Sequence, residues 1–97
     1  MKRLVFSSAA RDDLFVIGLY IAEDDPVRAE SFLAELEAKA KQAAERPRSF
    51  PVRDDIDPGL RVAVHGRYLI LFRELEHHVR IIRIVHGARN LDRLFGA

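Results

Sequence analysis

Residues Leu60 to Asn90, LRVAVHGRYLILFRELEHHVRIIRIVHGARN, constrain the fold more than any other stretch of the chain. Three runs of aliphatic and β-branched residues are separated by two short polar breaks, Gly66-Arg67 and Glu76-His77-His78. Breaks this short leave room only for hairpin turns. The stretch therefore predicts an antiparallel meander with strands at Leu60 to His65, Tyr68 to Leu75 and Val79 to His86. On the second strand Tyr68, Ile70 and Phe72 share one face, while Leu69, Leu71 and Arg73 share the other. On the third, strict alternation puts Ile82 and Ile84 on one face and Ile81, Arg83 and Val85 on the other. Both faces are apolar, whereas an antiparallel sheet with one wet face alternates apolar and polar residues. Helices cover one face. The second needs another cover, either a partner or this chain's own N-terminal strand, loop or C-terminal tail.

The upstream half supplies the helices. Lys2 to Phe6 is a short candidate strand. Ser7 and Ser8 offer N-cap hydroxyls, and Asp12 and Asp13 place negative charge in a first helical turn. Ala10, Leu14, Ile17 and Ile21 then recur at helical spacing, with Val16 and Tyr20 widening the stripe. Gly18, about 1 kcal/mol worse than alanine in a helix, offers a close approach for another helix. Asp25 and Pro26 suit the N-cap and first position of a second helix running to about Arg46, where Pro47 stops it. Its apolar stripe is Ala29, Phe32, Leu33, Leu36, Ala40 and Ala43, and the tight connection makes the pair an antiparallel hairpin. Residues 46–59, RPRSFPVRDDIDPG, read as an irregular crossing loop with Phe50 and Val52 docking on the core. The tail, Gly87 to Phe95, fits one or two helical turns capped by Asn90, with Leu91, Leu94 and Phe95 on one side. The expected fold is a single α+β domain over residues 1–97. An N-terminal strand and an antiparallel helical hairpin pack on a mostly antiparallel sheet, in the order β-α-α-β-β-β, followed by a short C-terminal helical tail.

Composition excludes several classes of function. The chain has no cysteine, hence no disulfide framework and no thiolate metal site, which suits a reducing cytoplasm as its location. No apolar run approaches the roughly 18 residues of a membrane span, and Leu4 to Phe6 is too short for a signal peptide. The net charge of +1 conceals an asymmetry. Residues 1–45 carry six basic and nine acidic side chains, residues 46–97 ten basic and six acidic, and all ten of those basic residues are arginine. Arginine forks suit phosphate or carboxylate, so the second half fits either a solvated face or an anionic partner.

The chemistry-bearing residues are sparse. Ser7, Ser8, Ser31 and Ser49 stand in no nucleophile elbow and near no histidine in sequence. His77 and His78 point apart as neighbours, and His65 and His86 lack a carboxylate motif, so no metal or other cofactor is expected. Asp12/Asp13, Asp24/Asp25 and Asp54/Asp55 sit at helix starts and in the loop, where they read as caps. One catalytic arrangement remains open, RNA cleavage with Arg73 and Arg83 stabilising the phosphorane and His86 or Tyr68 moving protons. It requires Arg73 and Arg83 to lie opposite each other, and His86 falls on the opposite parity from Arg83.

Four motifs in order carry a resemblance. Ser7-Ser8-Ala9-Ala10-Arg11-Asp12-Asp13-Leu14 is followed by Pro58-Gly59-Leu60-Arg61, then by Gly66-Arg67-Tyr68-Leu69-Ile70-Leu71-Phe72-Arg73. Last comes Arg83-Ile84-Val85-His86-Gly87-Ala88-Arg89-Asn90. Together they resemble the RelE/ParE superfamily of bacterial toxins from toxin–antitoxin modules. The loop arginines Arg46, Arg48 and Arg53 in place of lysines, and the ending Leu94-Phe95-Gly96-Ala97, look closer to ParE than to the ribosome-dependent nucleases of the RelE type. Asn90 departs from the aspartate of many relatives. The resemblance implies a non-catalytic toxin that poisons DNA gyrase, binds no specific DNA by itself, and is neutralised by an acidic, ParD-like antitoxin. It implies Arg61, Tyr68, Leu69, Leu71, Arg73, Ile81 and Arg83 as antitoxin contacts. For the target it implies Arg83, His86, Arg89, Arg93, Leu94 and Phe95. The alternative is a RelE-like messenger nuclease using Arg73, Arg83 and His86.

Overall fold

A computed structural model describes residues 2–87. The expected helical tail, with Arg89, Asn90, Arg93, Leu94 and Phe95, lies outside the described residues. The order is β1 (Arg3–Phe6), α1 (Ser8–Ala22), α2 (Pro26–Glu45), a single 3₁₀ turn (Pro47–Ser49), β2 (Arg61–His65), β3 (Tyr68–Glu74) and β4 (His78–His86). This is the α+β arrangement expected from the sequence. The strands form one sheet in the order β1-β4-β3-β2, antiparallel except where β1 runs parallel to β4.

Local chemistry sets the helix starts. The Ser7 hydroxyl accepts from the Ala10 amide at 3.0 Å, and the Asp25 carboxylate accepts from the Arg28 amide at 3.0 Å. Each satisfies an amide that the first turn leaves orphaned. Because α1 begins at Ser8, Asp12 and Asp13 fall beyond its first turn, and the expected dipole role is not theirs. The hairpin closes where Gly18 meets Leu33, a Cβ at Gly18 lying 2.9 Å from Leu33 Cδ1. A leucine tip can rotate away. Gly18→Ala is therefore expected to shift stability by less than about 1 kcal/mol, its gain in helix propensity offsetting the adjustment. Gly18→Ile, overpacking the same contact, should lose roughly 1–3 kcal/mol in urea unfolding.

Two apolar clusters sandwich the sheet. On the helix side, Leu36 and Ala40 of α2 and Ala10 and Ile17 of α1 pack on Ala63, Ile70, Phe72, Val79, Ile81 and Ile84. On the other side, Ile56 and Leu60 from the crossing loop lie over Val62, Leu71 and Val85. The chain itself thus covers much of the second face that the sequence left open to a partner. The loop is held down by polar ties. Arg73 binds Asp57 and the Pro58 carbonyl, the Gly59 amide donates to Asp54 at 2.8 Å, and Arg61 donates to the Phe50 carbonyl at 2.7 Å. Phe50 meets the core edge-on to Phe72, but Val52, expected to dock, is 42% exposed beside Arg61.

One irregularity reorganises β4. Leu71 pairs with Arg83 but Phe72 pairs with Ile81, so Ile82 is the extra residue of a bulge. The bulge reverses the parity predicted from alternation. Ile81 and Ile84 both join the helix-side core, while Ile82 packs with Val85 on the loop side.

Candidate functional site

An open groove of about 640 Å³ runs between the helical hairpin and the β2–β3 turn. Val16, Ile17, Tyr20 and Ile21 of α1 form one wall and Phe32 of α2 forms its floor. Gly66, Arg67 and Tyr68 close the turn end, with His86 from β4 beside them. Gly66 reverses the chain at φ +58°, a left-handed conformation that side chains with a Cβ disfavour. This tight reversal brings Tyr68 back over the hairpin.

The groove is aromatic. The Phe32 ring lies 5.6 Å from Tyr68 and 5.3 Å from His65, and Tyr68 meets His86 edge-on at 5.5 Å. The Arg28 guanidinium stands 5.1 Å over the Phe32 ring, within cation–π range. Arg28 is also held by Glu35 at 2.6 Å, and Glu35 accepts His65 Nε2 at 2.8 Å, tying α2 to the end of β2. Hydrogen bonds from Arg28, then from His65, hold the Glu35 carboxyl below the ordinary carboxylate range. Burial, then the nearby Tyr20 phenol, push the Tyr68 hydroxyl above its ordinary value. Such a surface buries apolar side chains well and orients a partner through a few polar groups at its rim.

The residues predicted from sequence divide. Tyr68 and His86 line the groove together, in register across β3 and β4. Leu71 and Ile81, expected at an antitoxin surface, are wholly enclosed and serve as core. Leu69 is partly buried against the loop-side cluster. The arginines are occupied internally: Arg61 by the Phe50 carbonyl, Arg73 by Asp57 and Pro58, Arg83 by Asp13 at 2.7 and 2.8 Å. Asp13 holds Arg83 with its pKa raised above the usual guanidinium value. Elsewhere Glu74 is bridged by Lys2 and Arg48 at 3.2 Å each, and those two hydrogen bonds hold its carboxyl below the usual range. The arginine-rich half is thus in good part an internal ionic framework.

The nuclease arrangement is not assembled. Arg73 stands opposite Arg80, and Arg83 opposite Leu71, so the two arginines do not face each other across the strands. Among the described residues no three His, Asp or Glu side chains converge as a metal site would require. No described helix is long and apolar enough to cross a membrane.

Sequence reasoning read Val16 and Tyr20 as core and missed Arg28, Phe32, Gly66 and Arg67 as groove residues. It also missed Phe15 and Leu19, which stand 67% and 55% exposed on α1. The available signal was α1's composition, apolar around most of its circumference, which a single stripe leaves unexplained.

Comparisons with known proteins agree on one relationship. A family model described as the ParE toxin of the type II toxin-antitoxin system, parDE, matches residues 4–91. Among solved structures, a chain of the chromosomal ParDE TA system from P. aeruginosa superposes with a TM-score of 0.75 at 21% identity. The match covers 89% of this chain and 96% of that one. A chain of the toxin-antitoxin complex RelBE2 from Mycobacterium tuberculosis superposes with a TM-score of 0.64 at 27% identity, covering 88% and 96%. A search of curated proteins finds no match.

Proposed function

The chain belongs to the ParE toxin family of type II toxin–antitoxin systems, and from that premise we propose that it inhibits DNA gyrase and is silenced by a ParD-like antitoxin. One observation carries the antitoxin half of the reading. The groove between α1, Phe32 and the β2–β3 turn is open and aromatic, with Arg67 exposed at its rim. That chemistry fits an amphipathic, acidic segment that folds as it binds. The site is the cytoplasm, where such a complex holds the toxin inactive.

The gyrase half rests on the ParE side of the family resemblance, and the engagement of the arginines supports it. A nuclease must offer its cations to a phosphate, whereas Arg73 and Arg83 are committed to Asp57 and Asp13. Adding the purified chain to a supercoiling reaction with gyrase and ATP is expected to abolish supercoiling and leave cleaved DNA trapped on the enzyme. Prior addition of the antitoxin should restore activity. Undiminished supercoiling in the presence of a folded chain would overturn the target, and message cleavage on translating ribosomes would replace it with the nuclease reading.

A further inference from the structure

The first half of β4 carries a charge arrangement that the chain does not balance. Val79 and Ile81 face the helices, so Arg80 between them points to the opposite face of the sheet. Leu4 and Phe6 likewise face the helices and turn Arg3 and Val5 to that same outer face. In register, Arg80 stands between Val5 on β1 and Arg73 on β3, and Arg3 stands beside His78. Like charges directly opposite on neighbouring strands are destabilising. Asp57 neutralises Arg73, but no acid reaches Arg80 among the described residues. The acids near this face are already engaged. Asp55 is taken by Arg53, Asp54 by the Gly59 amide and Glu74 by Lys2 and Arg48, while exposed Glu76 turns to His77. Arg3 and Arg80 are both exposed, with no hydrogen bond or ion pair among the described residues. Such a local conflict belongs where a partner resolves it.

We infer that this outer sheet face, through Arg3 and Arg80, grips the phosphate backbone of the DNA that gyrase holds. The inference rests on the reading of the chain as a gyrase inhibitor, which brings DNA within its reach. Two observations favour a phosphate chain over an acidic peptide. At Arg80, β4 is flanked by β1 and β3, so its backbone is paired on both sides and no strand can add there. The apolar neighbours on this face, Val5 and Ile82, are half-buried and offer little to an amphipathic segment. What the face does offer is guanidinium forks on a backbone-paired sheet, which suit phosphate oxygens. Contacts of that kind position a protein on DNA without reading its sequence, in keeping with a chain that binds no specific DNA by itself. The face is also separate from the groove, which opens on the helix side around Tyr68 and His86, at the other end of β4. A segment seated in the groove and DNA seated here use different side chains.

The test sets the parent chain against Arg3→Gln, Arg80→Gln and the double variant, each added to gyrase holoenzyme with plasmid DNA and ATP. Both side chains are exposed, so melting temperatures close to the parent's are expected. Two quantities are read: the concentration that half-maximally traps cleaved DNA, and the affinity for gyrase without DNA. The double variant is expected to need roughly tenfold more protein to trap DNA, the loss typical of removed phosphate contacts. Its affinity for DNA-free gyrase should match the parent's. Trapping should also fall less steeply with rising KCl, by about one unit of log–log slope for each arginine removed. Arg80→Lys keeps the charge and should recover part of the loss. Unaltered trapping by the folded double variant would overturn the inference. Equal weakening toward DNA-free gyrase, or toward the antitoxin encoded in the same module, would assign the face to a protein partner and overturn it too. A parent chain without effect on supercoiling would overturn the gyrase reading itself, and this inference with it.

Discussion

Phe72→Ala is expected to destabilise the domain by about 3–5 kcal/mol, the usual range for truncating an enclosed aromatic ring. The ring is wholly buried, paired in register with Arg61 on β2 and Ile81 on β4, and edge-on to Phe50 at 5.7 Å and 85°. It sits where the bulge resets β4 and where the start of the crossing loop docks, so one cavity loosens three elements at once. A domain of this size commonly has about 5–15 kcal/mol in total, so the variant would sit near the edge of folding. The melting temperature measured by circular dichroism should drop by roughly 15–30 °C. Val52→Ala is the contrast. Its side chain is 42% exposed, and truncation should stay within about 0.5 kcal/mol. A Phe72→Ala protein as stable as the parent would mean that the sheet is not packed around this ring.

Element identity was legible because it depends on local chemistry. Asp25-Pro26 and Pro47 fix the ends of α2 whatever lies around them, and the short breaks at Gly66 and Glu76 permit only hairpins. Three features depended on distant partners and were not legible. Strict alternation cannot reveal a bulge, since Ile81, Ile82 and Ile84 are equally apolar and only the pairing with Leu71 and Phe72 selects the extra residue. The loop's composition, rich in proline and aspartate, hides that Ile56 and Leu60 fall over the second sheet face. The groove is assembled from α1, α2 and the β2–β3 turn, so no contiguous motif announces it; of its lining, only Tyr68 and His86 stand out in the sequence as candidate site residues. Arginine spacing was the most misleading signal, because a fork that suits a partner's carboxylate suits the chain's own equally well.

Arg83 illustrates that ambiguity, and it sets the second large expected effect. Strand β1 ends opposite Ile81, leaving the outer edge of β4 beyond it without a neighbouring strand among the described residues. Two side chains of the N-terminal half take its place. The Ser7 hydroxyl donates to the Ile82 carbonyl at 2.7 Å, and Asp13 accepts both the Ile84 amide at 2.9 Å and the Arg83 fork. The side chains of Arg83 and Asp13 are only 24% and 13% exposed, so the pair is shielded from water. Asp13→Ala would strand a half-buried guanidinium and an edge amide together, at an expected cost of about 2–4 kcal/mol. Arg83→Ala leaves Asp13 its amide partner and should cost less, about 1–2 kcal/mol. The double variant separates the pair from the edge contact, with a coupling of roughly 1–2 kcal/mol between the two residues expected in urea unfolding. The same set decides how any loss of toxicity in Arg83→Ala is to be read. If Arg83 acts only by bracing β4, Asp13→Ala will reduce toxicity at least as strongly, in step with stability. If Arg83 touches the target, Arg83→Ala will abolish toxicity while the less stable Asp13→Ala protein retains it at low temperature.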